Sequence, residues 1–136
     1  MIVVVVDTSA LVAMLLAEPE AVAFGLFLRD RSPVISAGSL IVTLRVVMRR
    51  RGVQARAELD DLMETFGVRT HPVDQAQVEL AAEGHVRFGK GRGAPPAALN
   101  FGDLFAYALA RHLDAPLLFK GNDFGQTDVR VALTTP

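Results

Sequence analysis

Two aspartates lie where strands and helices of this chain are expected to meet, and together they could do chemistry. Asp7 directly follows the apolar run 2–6, and Asp103 falls in the first turn of a helix predicted over residues 102–113. Carboxylates that converge at such junctions bind a hard cation such as Mg²⁺ or Mn²⁺, with water and a substrate phosphate completing the octahedron. A plain structural role competes with this one, because aspartate also caps helices and favours the helix dipole.

A third acidic group follows the apolar segment 116–119. The loop GNDFGQTD contains Asp123 and Asp128, and both lie beyond the carboxyl end of that predicted strand. Ligand sites in open parallel sheets form outside the carboxyl ends of the strands, so either residue could reach the same crevice as Asp7. Turn formation by Asn122 and Asp123 is the alternative.

Basic residues occur in two groups. Arg87, Lys90 and Arg92 surround the glycines of FGKGRG, and glycines let a backbone approach a ligand closely. We therefore expect phosphate contacts from these three side chains if the substrate is a phosphodiester. Arg45 and the run 49–51 lie at the end of a predicted helix, where the dipole favours cations, and a solvated helix end is the better interpretation there.

Other kinds of site lack their signatures in this sequence. FGKGRG is not a P-loop, because it lacks the Lys-Ser/Thr ending and follows a helix. The three histidines share no spacing typical of zinc ligands, and the chain has no cysteine and no GxSxG motif. Carboxylate chemistry therefore remains the main candidate.

Short apolar strands alternate with helical segments along the chain. The run 2–6 is apolar on every face, as in a central strand covered on both sides, and the segment 88–103, rich in glycine and proline, can only be loop. Strands are predicted over residues 2–6, 33–35, 68–73, 116–119 and 129–133, and helices over 8–16, 19–30, 36–52, 55–66, 75–88 and 102–113. This order predicts one three-layer α/β domain, residues 1–136, with a mainly parallel central sheet flanked by helices.

Polar residues at the junctions are the expected helix caps. Thr8 or Ser9 can cap the first helix, Ser36 the third and Asp74 the fifth. Pro19 near a first turn restarts the second helix, because proline fits that position of a helix.

Composition narrows the class of protein. The chain has 136 residues, the size of one domain, with 51% hydrophobic residues and a formal net charge of -1. No global charge draws it to nucleic acid or to a membrane surface, although a local basic patch stays open. No apolar stretch reaches the roughly 20 residues needed to span a bilayer. We therefore expect a cytoplasmic protein with no membrane association.

Three segments resemble the PIN-domain family, and within it the VapC toxins of bacterial toxin–antitoxin pairs. They are VVDTSALVAMLLAEPE at the start, FGKGRG before LNFGDLFAYALA, and PLLFKGNDFGQTDV near the end, so the likeness covers nearly the whole chain. The resemblance implies a Mg²⁺- or Mn²⁺-dependent ribonuclease that hydrolyses RNA phosphodiesters. It also implies a cognate VapB-type antitoxin as partner and a homodimer.

The resemblance also implies which residues form the site. The acid after the first strand corresponds to Asp7 and the acid of the NFGD motif to Asp103, and these two would hold the metal. A later catalytic acid is best matched by Asp123, with Asp128 as the alternative alignment.

The mechanism that the resemblance implies is metal-assisted hydrolysis. A bound ion would lower the pKa of a water molecule and offset charge on the phosphate oxygens. Thr8 and Ser9 would support the site by orienting the groups that touch the metal. The expected substrate is single-stranded RNA or an exposed RNA loop, whose bases can be splayed into a groove.

Position 42 departs from the family pattern. Family members usually have a glutamate six residues after the serine of the ISA motif, and here Ser36 is followed at that distance by Val42. No adjacent residue compensates, since the next charged residue is Arg45. The loss would weaken metal binding and activity while leaving the apolar packing intact. Either a substitution that silences a toxic nuclease or a naturally impaired copy explains it, and the good order of the other motifs favours the first.

Two further functions compete with an impaired nuclease toxin. A catalytically degenerate PIN domain would act as an antitoxin- or RNA-binding module without cutting. A metal-dependent phosphatase on an α/β scaffold follows from the clustered acids alone. Metal binding by Asp7 and Asp103 would argue against the first alternative.

Overall fold

A four-stranded parallel sheet forms the centre of the molecule. The structure, a computed structural model, describes residues 1–91 and 98–134. The strand order is β3-β2-β1-β4, and neighbouring strands all run parallel. The strands are β1 (Ile2–Val6), β2 (Arg31–Ser36), β3 (Arg69–His71) and β4 (Leu117–Leu118). The prediction of a parallel α/β sheet is confirmed.

Six helices flank the sheet within the described residues. They are α1 (Thr8–Leu15), α2 (Ala21–Leu28), α3 (Ala37–Arg51), α4 (Ala55–Phe66), α5 (Gln75–Phe88) and α6 (Phe101–Leu113). Each predicted helix end lies within two residues of the observed one. Within the described residues, no helix is both long enough and apolar enough to cross a membrane.

The side chains of β1 alternate between two hydrophobic cores. Val4 and Val6 pack on one side of the sheet with residues of α1 to α4, including Leu11 and Leu59. Val5 packs on the other side with residues of α6. Since successive side chains of a strand point to opposite faces, an all-apolar strand must be covered on both. The fold is therefore three-layered, as predicted.

Pro33 lies inside β2, a position that proline avoids in a central strand. It is tolerated because β2 is central only in part. Residues 31–33 pair with β1, and the ladder to β3 begins at Val34, which pairs with Arg69. Pro33 therefore lies where β2 is still an edge strand and needs no second partner.

The predicted final strand over residues 129–133 is wrong. In the described part of the chain, this segment contributes one isolated bridge, between Val131 and Leu117. Leu117 donates its N–H to the Arg130 carbonyl at 2.9 Å and accepts from the Ala132 N–H at 3.0 Å. Pairing stops there because β4, the neighbouring strand, has only two residues.

Three aspartate or serine side chains cap helices, and one differs from expectation. Ser36 Oγ accepts from the Gly38 N–H at 3.2 Å, and Asp74 Oδ1 accepts from the Gln77 N–H at 3.0 Å, as predicted. The expectation that Thr8 or Ser9 caps α1 is wrong, because Asp7 is the cap. Asp7 has the extended backbone that a cap requires, with ψ of 159°. Thr8 and Ser9 already belong to the helix.

The predicted loop 88–103 is described at its two ends. α5 ends at Phe88, and Gly89 then forms an isolated parallel bridge with Leu99 just before α6 begins. Residues 92–97, and with them Arg92, lie outside the described residues.

Candidate active site

Asp7 lies at the carboxyl end of β1 and is almost completely buried, with 4% of its surface exposed. Its Oδ2 accepts two hydrogen bonds from Ser9, from the backbone N–H at 2.9 Å and from the hydroxyl at 2.6 Å. Burial raises the pKa of the Asp7 carboxyl above its ordinary value, although both hydrogen bonds lower it. The end of β1 therefore presents a buried acid whose hydrogen-bond donors are neutral.

Ser9 connects this acid to the loop that follows β4. Its hydroxyl oxygen accepts a hydrogen bond from the Lys120 backbone N–H at 2.9 Å while its proton goes to Asp7. The Lys120 ammonium lies elsewhere, in ion pairs with Glu18 at 2.9 Å and Glu20 at 3.3 Å. Lys120 thus orients Asp7 through Ser9, and its charge is used by two other carboxylates.

Asp103 lies in the first turn of α6 and forms a capping box with Asn100. Asn100 Oδ1 accepts from the Asp103 N–H, and Asp103 Oδ2 accepts from the Asn100 N–H, both at 3.0 Å. The pKa of the Asp103 carboxyl is raised to about 6, chiefly by burial and also by the charges of Asp7 and Asp123, against the lowering effect of the Asn100 hydrogen bond. The capping box fixes the direction of this carboxylate.

Asp123 completes an acid cluster, which we define as Asp7, Asp103 and Asp123. Its side chain is exposed, just before the 3₁₀ turn Phe124–Gln126. The negative charge of Asp123 raises the pKa of both other members, so the three carboxylates lie within electrostatic reach of one another. The structure brings these three sequence-predicted acids together.

Asp128, the alternative to Asp123, lies in a different place. Its Oδ2 accepts from Arg111 at 2.8 Å and from Arg87 at 3.1 Å. Arg111 is about 12 Å along α6 from Asp103, eight residues further on. Asp128 therefore belongs to an ion-pair network at the other end of α6.

Val42 lies beside the first turn of α6. A β-carbon placed on Gly102 would be 3.6 and 3.8 Å from the two methyl carbons of Val42. Gly102 immediately precedes Asp103, so the side chain at position 42 is directed to the same helix end as the acid cluster. It supplies methyl groups and no oxygen ligand there.

Thr8 has a role that connects helices. Its hydroxyl donates to the Ser39 carbonyl at 2.9 Å and lies 2.9 Å from the Thr43 hydroxyl, which also contacts that carbonyl at 2.8 Å. Thr43 is completely buried. These contacts hold the start of α1 against α3, next to the turn that bears Val42.

The three proposed phosphate contacts lie in different surroundings. Arg87 forms ion pairs with Glu83 at 3.3 Å and with Asp128 at 3.1 Å, away from the acid cluster. Lys90 is exposed and lines an open pocket of about 500 Å³ together with Asn100, the cap of α6. Arg92 lies outside the described residues. Phosphate contact by these side chains stays a prediction.

The acid cluster suits a hard cation in its chemistry, with the ligand set incomplete. Among residues 1–91 and 98–134, no group of three or more His, Asp or Glu side chains is arranged to hold a metal ion by itself. Asp7 and Asp103 supply carboxylate oxygens at raised pKa, which a divalent cation would relieve. Water and substrate oxygens would have to complete the coordination.

Comparison with known proteins identifies the family. The family model for the PIN domain matches residues 4–130. The chain belongs to the PIN-domain family. Among curated relatives it is 38% identical to ribonuclease VapC42 of Mycobacterium tuberculosis over 132 residues, covering 96% of this chain and 99% of that protein. It is 41% identical to ribonuclease VapC28 of the same organism over 130 residues, covering 95% and 97%. This PIN domain therefore belongs with the VapC ribonucleases of toxin–antitoxin systems.

Two solved structures share the fold of this PIN domain. VapC20 of Mycobacterium tuberculosis, described as a sarcin–ricin loop cleaving toxin, superposes with a TM-score of 0.74 at 19% identity, covering 93% of this chain and 95% of that one. VapBC2 from Rickettsia felis, bound to a DNA fragment from its promoter, gives 0.75 at 14% identity, with 96% of each chain covered. At such low identity the likeness is one of fold.

Sequence reasoning missed two groups that support the acids of this PIN domain. Asn100 holds the Asp103 carboxylate, and the spacing Asn-x-x-Asp is the local pattern of a capping box that could have revealed it. The Lys120 amide holds Ser9, which is 111 positions away in the chain. No local pattern signals such a contact.

Proposed function

We propose that this PIN domain is the toxin of a type II toxin–antitoxin pair, a Mg²⁺- or Mn²⁺-dependent ribonuclease whose activity is reduced or abolished in this copy by Val42. The observation that carries the proposal is the acid cluster at the carboxyl edge of a parallel sheet, where burial and mutual repulsion raise the pKa of Asp7 and Asp103. Acids with such perturbed pKa values are typical of functional sites, because active sites arrange burial and like charges to shift the pKa.

Asp7 and Asp103 would hold the ion. When bound, the ion supplies a water of lowered pKa and offsets charge on the phosphate oxygens. The chain contributes orientation: Ser9 directs the Asp7 carboxylate with two hydrogen bonds, and the Asn100 N–H directs that of Asp103. Asp123, which is exposed, is free to accept a hydrogen bond from the attacking water and orient it toward the phosphorus.

Position 42 decides how much charge the cluster can offer. A glutamate there would add a fourth carboxylate beside Gly102, the residue before Asp103. Valine contributes only methyl groups next to Gly102 at the start of α6, and it has no oxygen that could bind a metal. We therefore expect weak metal binding and weak cleavage from this chain, with the fold unaffected.

The decisive experiment compares the chain with its Val42→Glu variant. We expect Val42→Glu to cleave single-stranded RNA with Mg²⁺ or Mn²⁺ and to arrest growth in cells far more strongly than the unmodified chain. Cleavage is followed on labelled RNA with and without EDTA.

Ile41→Glu is the matched control for that comparison. It adds the same charge to the neighbouring position of α3, where the side chain is 68% exposed. It should leave cleavage unchanged. If Val42→Glu is folded, binds metal and is as inert as this control, the nuclease proposal fails.

A second candidate is a degenerate PIN domain that binds RNA or antitoxin without cutting. The absence of an oxygen ligand at Val42 favours it, because it removes one ligand while the acids and their hydrogen bonds remain. If the unmodified chain and its Val42→Glu variant are equally inactive and both still bind RNA, this candidate is supported over the nuclease.

The partner we propose is a VapB-type antitoxin, and we further propose a homodimer and a cytoplasmic location. The Rickettsia felis structure is of a VapBC2 pair, which supports the antitoxin proposal by analogy of fold. Two exposed apolar areas of this chain suit protein contacts. One contains Val22 and Leu26 of α2, 74% and 57% exposed, and the other contains Phe101, 75% exposed.

A further inference from the structure

Helices α3 and α6 run antiparallel where they pack beside the acid cluster. The ring of Phe105 occupies the space that a β-carbon on Gly38 would need, and Val42 lies against Gly102 one turn further along α3. A step of four residues toward the C-terminus of α3, from Gly38 to Val42, therefore matches a step of three residues toward the N-terminus of α6, from Phe105 to Gly102. Another turn of α3 extends beyond the first residue of α6.

Two arginines lie on that next part of α3. Arg45 and Arg49 follow Val42 by three and seven residues, which places them about 60° and 20° from its direction around the helix and about 4.5 and 10.5 Å along it. Both side chains are exposed. They form what we call the arginine row, which starts at the helix end that bears Asp103.

Among residues 1–91 and 98–134, no acid is paired with the arginine row. Within the described residues, neither guanidinium takes part in an ion pair or a side-chain hydrogen bond, and the sequence of α3 contains no Asp or Glu. A glutamate at position 42 would lie three residues before Arg45, at the spacing of a helical ion pair. Valine leaves that guanidinium available.

Most other arginines of the described chain are already paired. Arg87 and Arg111 contact Asp128, and Arg51 contacts Glu58 at 2.9 Å. Among the described residues, the cations without an ion pair near the start of α6 are therefore Arg45 and Arg49 on α3 and Lys90, which lines a pocket with Asn100. The chain as a whole has a net charge of -1, so this charge is local.

We propose that Arg45 and Arg49 bind successive phosphates of a single-stranded RNA and direct the strand across the start of α6 to the acid cluster. This rests on the proposed function, whose substrate contacts it names. Their separation of about 6 Å along α3 lets two guanidinium groups contact two phosphates of one strand. Since the contacts are to the backbone, binding is independent of base sequence and needs no metal.

The test measures binding of a labelled single-stranded oligoribonucleotide in EDTA by fluorescence anisotropy, using the full chain. We expect Arg45→Gln/Arg49→Gln to raise Kd about tenfold and to reduce the slope of log K against log salt by about 1.4, or about 0.7 per lost phosphate contact. Arg45→Lys/Arg49→Lys should retain most of the affinity, because it keeps the charge.

The matched control is Arg29→Gln/Arg69→Gln. It removes the same charge from two other exposed arginines, Arg29 just before β2 and Arg69 at the start of β3, whose guanidinium contacts Ser32 near the start of β2. It should change Kd by less than about twofold. Equal weakening by both double variants, or no weakening by the first, overturns the proposal.

Cleavage by Val42→Glu separates this inference from the proposed function. If Val42→Glu fails to cleave but binding still depends on the arginine row, the nuclease fails and the inference stands. If Val42→Glu cleaves and Arg45→Gln/Arg49→Gln leaves the Kd of the Val42 chain for the oligoribonucleotide unchanged, the nuclease stands and the inference fails. Thermal melting of each variant confirms that all are folded.

Discussion

At the scale of single residues, Asp103 combines two opposed demands. As the N3 residue of α6 it accepts a hydrogen bond from Asn100, which stabilises the helix end. As a half-buried acid beside Asp7 and Asp123 it is hard to ionise, and its pKa rises to about 6. The helix cap therefore holds in place a charge that the fold alone would disfavour.

This conflict predicts that Asp103→Asn stabilises the metal-free protein at neutral pH. The folded pKa of about 6 exceeds the ordinary value of 3.8, so ionised Asp103 destabilises the fold above pH 6. That penalty is relieved as the pH falls through 6 toward 3.8. Asparagine keeps the carbonyl that accepts from Asn100 and removes the charge.

Urea unfolding in EDTA measures the effect. At about pH 7.5, Asp103→Asn should be more stable by about 1 kcal/mol, less than the full pKa shift implies, because solvent screens a partly exposed carboxyl. The difference should shrink at about pH 5. A variant less stable than the unmodified chain at both pH values would contradict the electrostatic argument.

Two aspartates five positions apart should separate function from stability. Asp123 belongs to the acid cluster, whereas Asp128 bridges Arg87 and Arg111. In the Val42→Glu background, Asp123→Ala should reduce RNA cleavage by at least about tenfold with little effect on unfolding. Asp128→Ala should cost about 1 kcal/mol of stability and leave the cleavage rate of the folded protein nearly unchanged. The reverse pattern would assign the later acid to Asp128.

At the scale of elements, close helix packing fixes where the acids lie. Gly84 of α5 packs on Tyr107 of α6, and a β-carbon on Gly84 would lie 2.5 Å from Cε1 of that ring. Tyr107 is completely buried, and its hydroxyl accepts from Arg111 at 2.8 Å, so the ring cannot move aside. Glycine at position 84 thus lets α6 approach α5.

Gly84→Ala should therefore destabilise the protein although alanine favours helices. The gain in helix propensity is about 1 kcal/mol, and overpacking a rigid contact costs about 1–3 kcal/mol, so we expect a net loss. Gly102→Ala is the control, because its β-carbon would meet neighbours at 3.5 Å or more. Equal melting temperatures for the two variants would show that the Tyr107 contact can relax.

At the scale of the whole molecule, the parallel sheet concentrates negative charge at one edge. The strands β1 and β4 end side by side, and the segments that follow them bring Asp7 and Asp123 to α6. The arginine row follows Val42 on α3, and Val42 lies against Gly102 at the start of α6. A chain of net charge -1 thus has an acid cluster and a cationic row as neighbours, which suits a phosphodiester strand held beside a divalent cation.

The sequence by itself determined the six helices, four of the five predicted strands and the position of Asp7. Burial on both faces of β1 and all six helices follow from local periodicity. The caps Ser36 and Asp74 follow from side chains that hydrogen-bond within a few residues. These features depend on chain neighbours, so a single sequence contains them. The aspartate after an all-apolar strand lies at the strand's carboxyl end in any parallel sheet.

Only the tertiary structure decided which loop residues reach the site. Asp123 joins the acid cluster and Asp128 does not, because Arg87 and Arg111 bind Asp128 from two helices. Likewise Val42 lies against Gly102, the residue before Asp103, because α3 and α6 pack together although they are far apart in the chain. Loop direction and helix contact depend on partners distant in sequence, which no local pattern records.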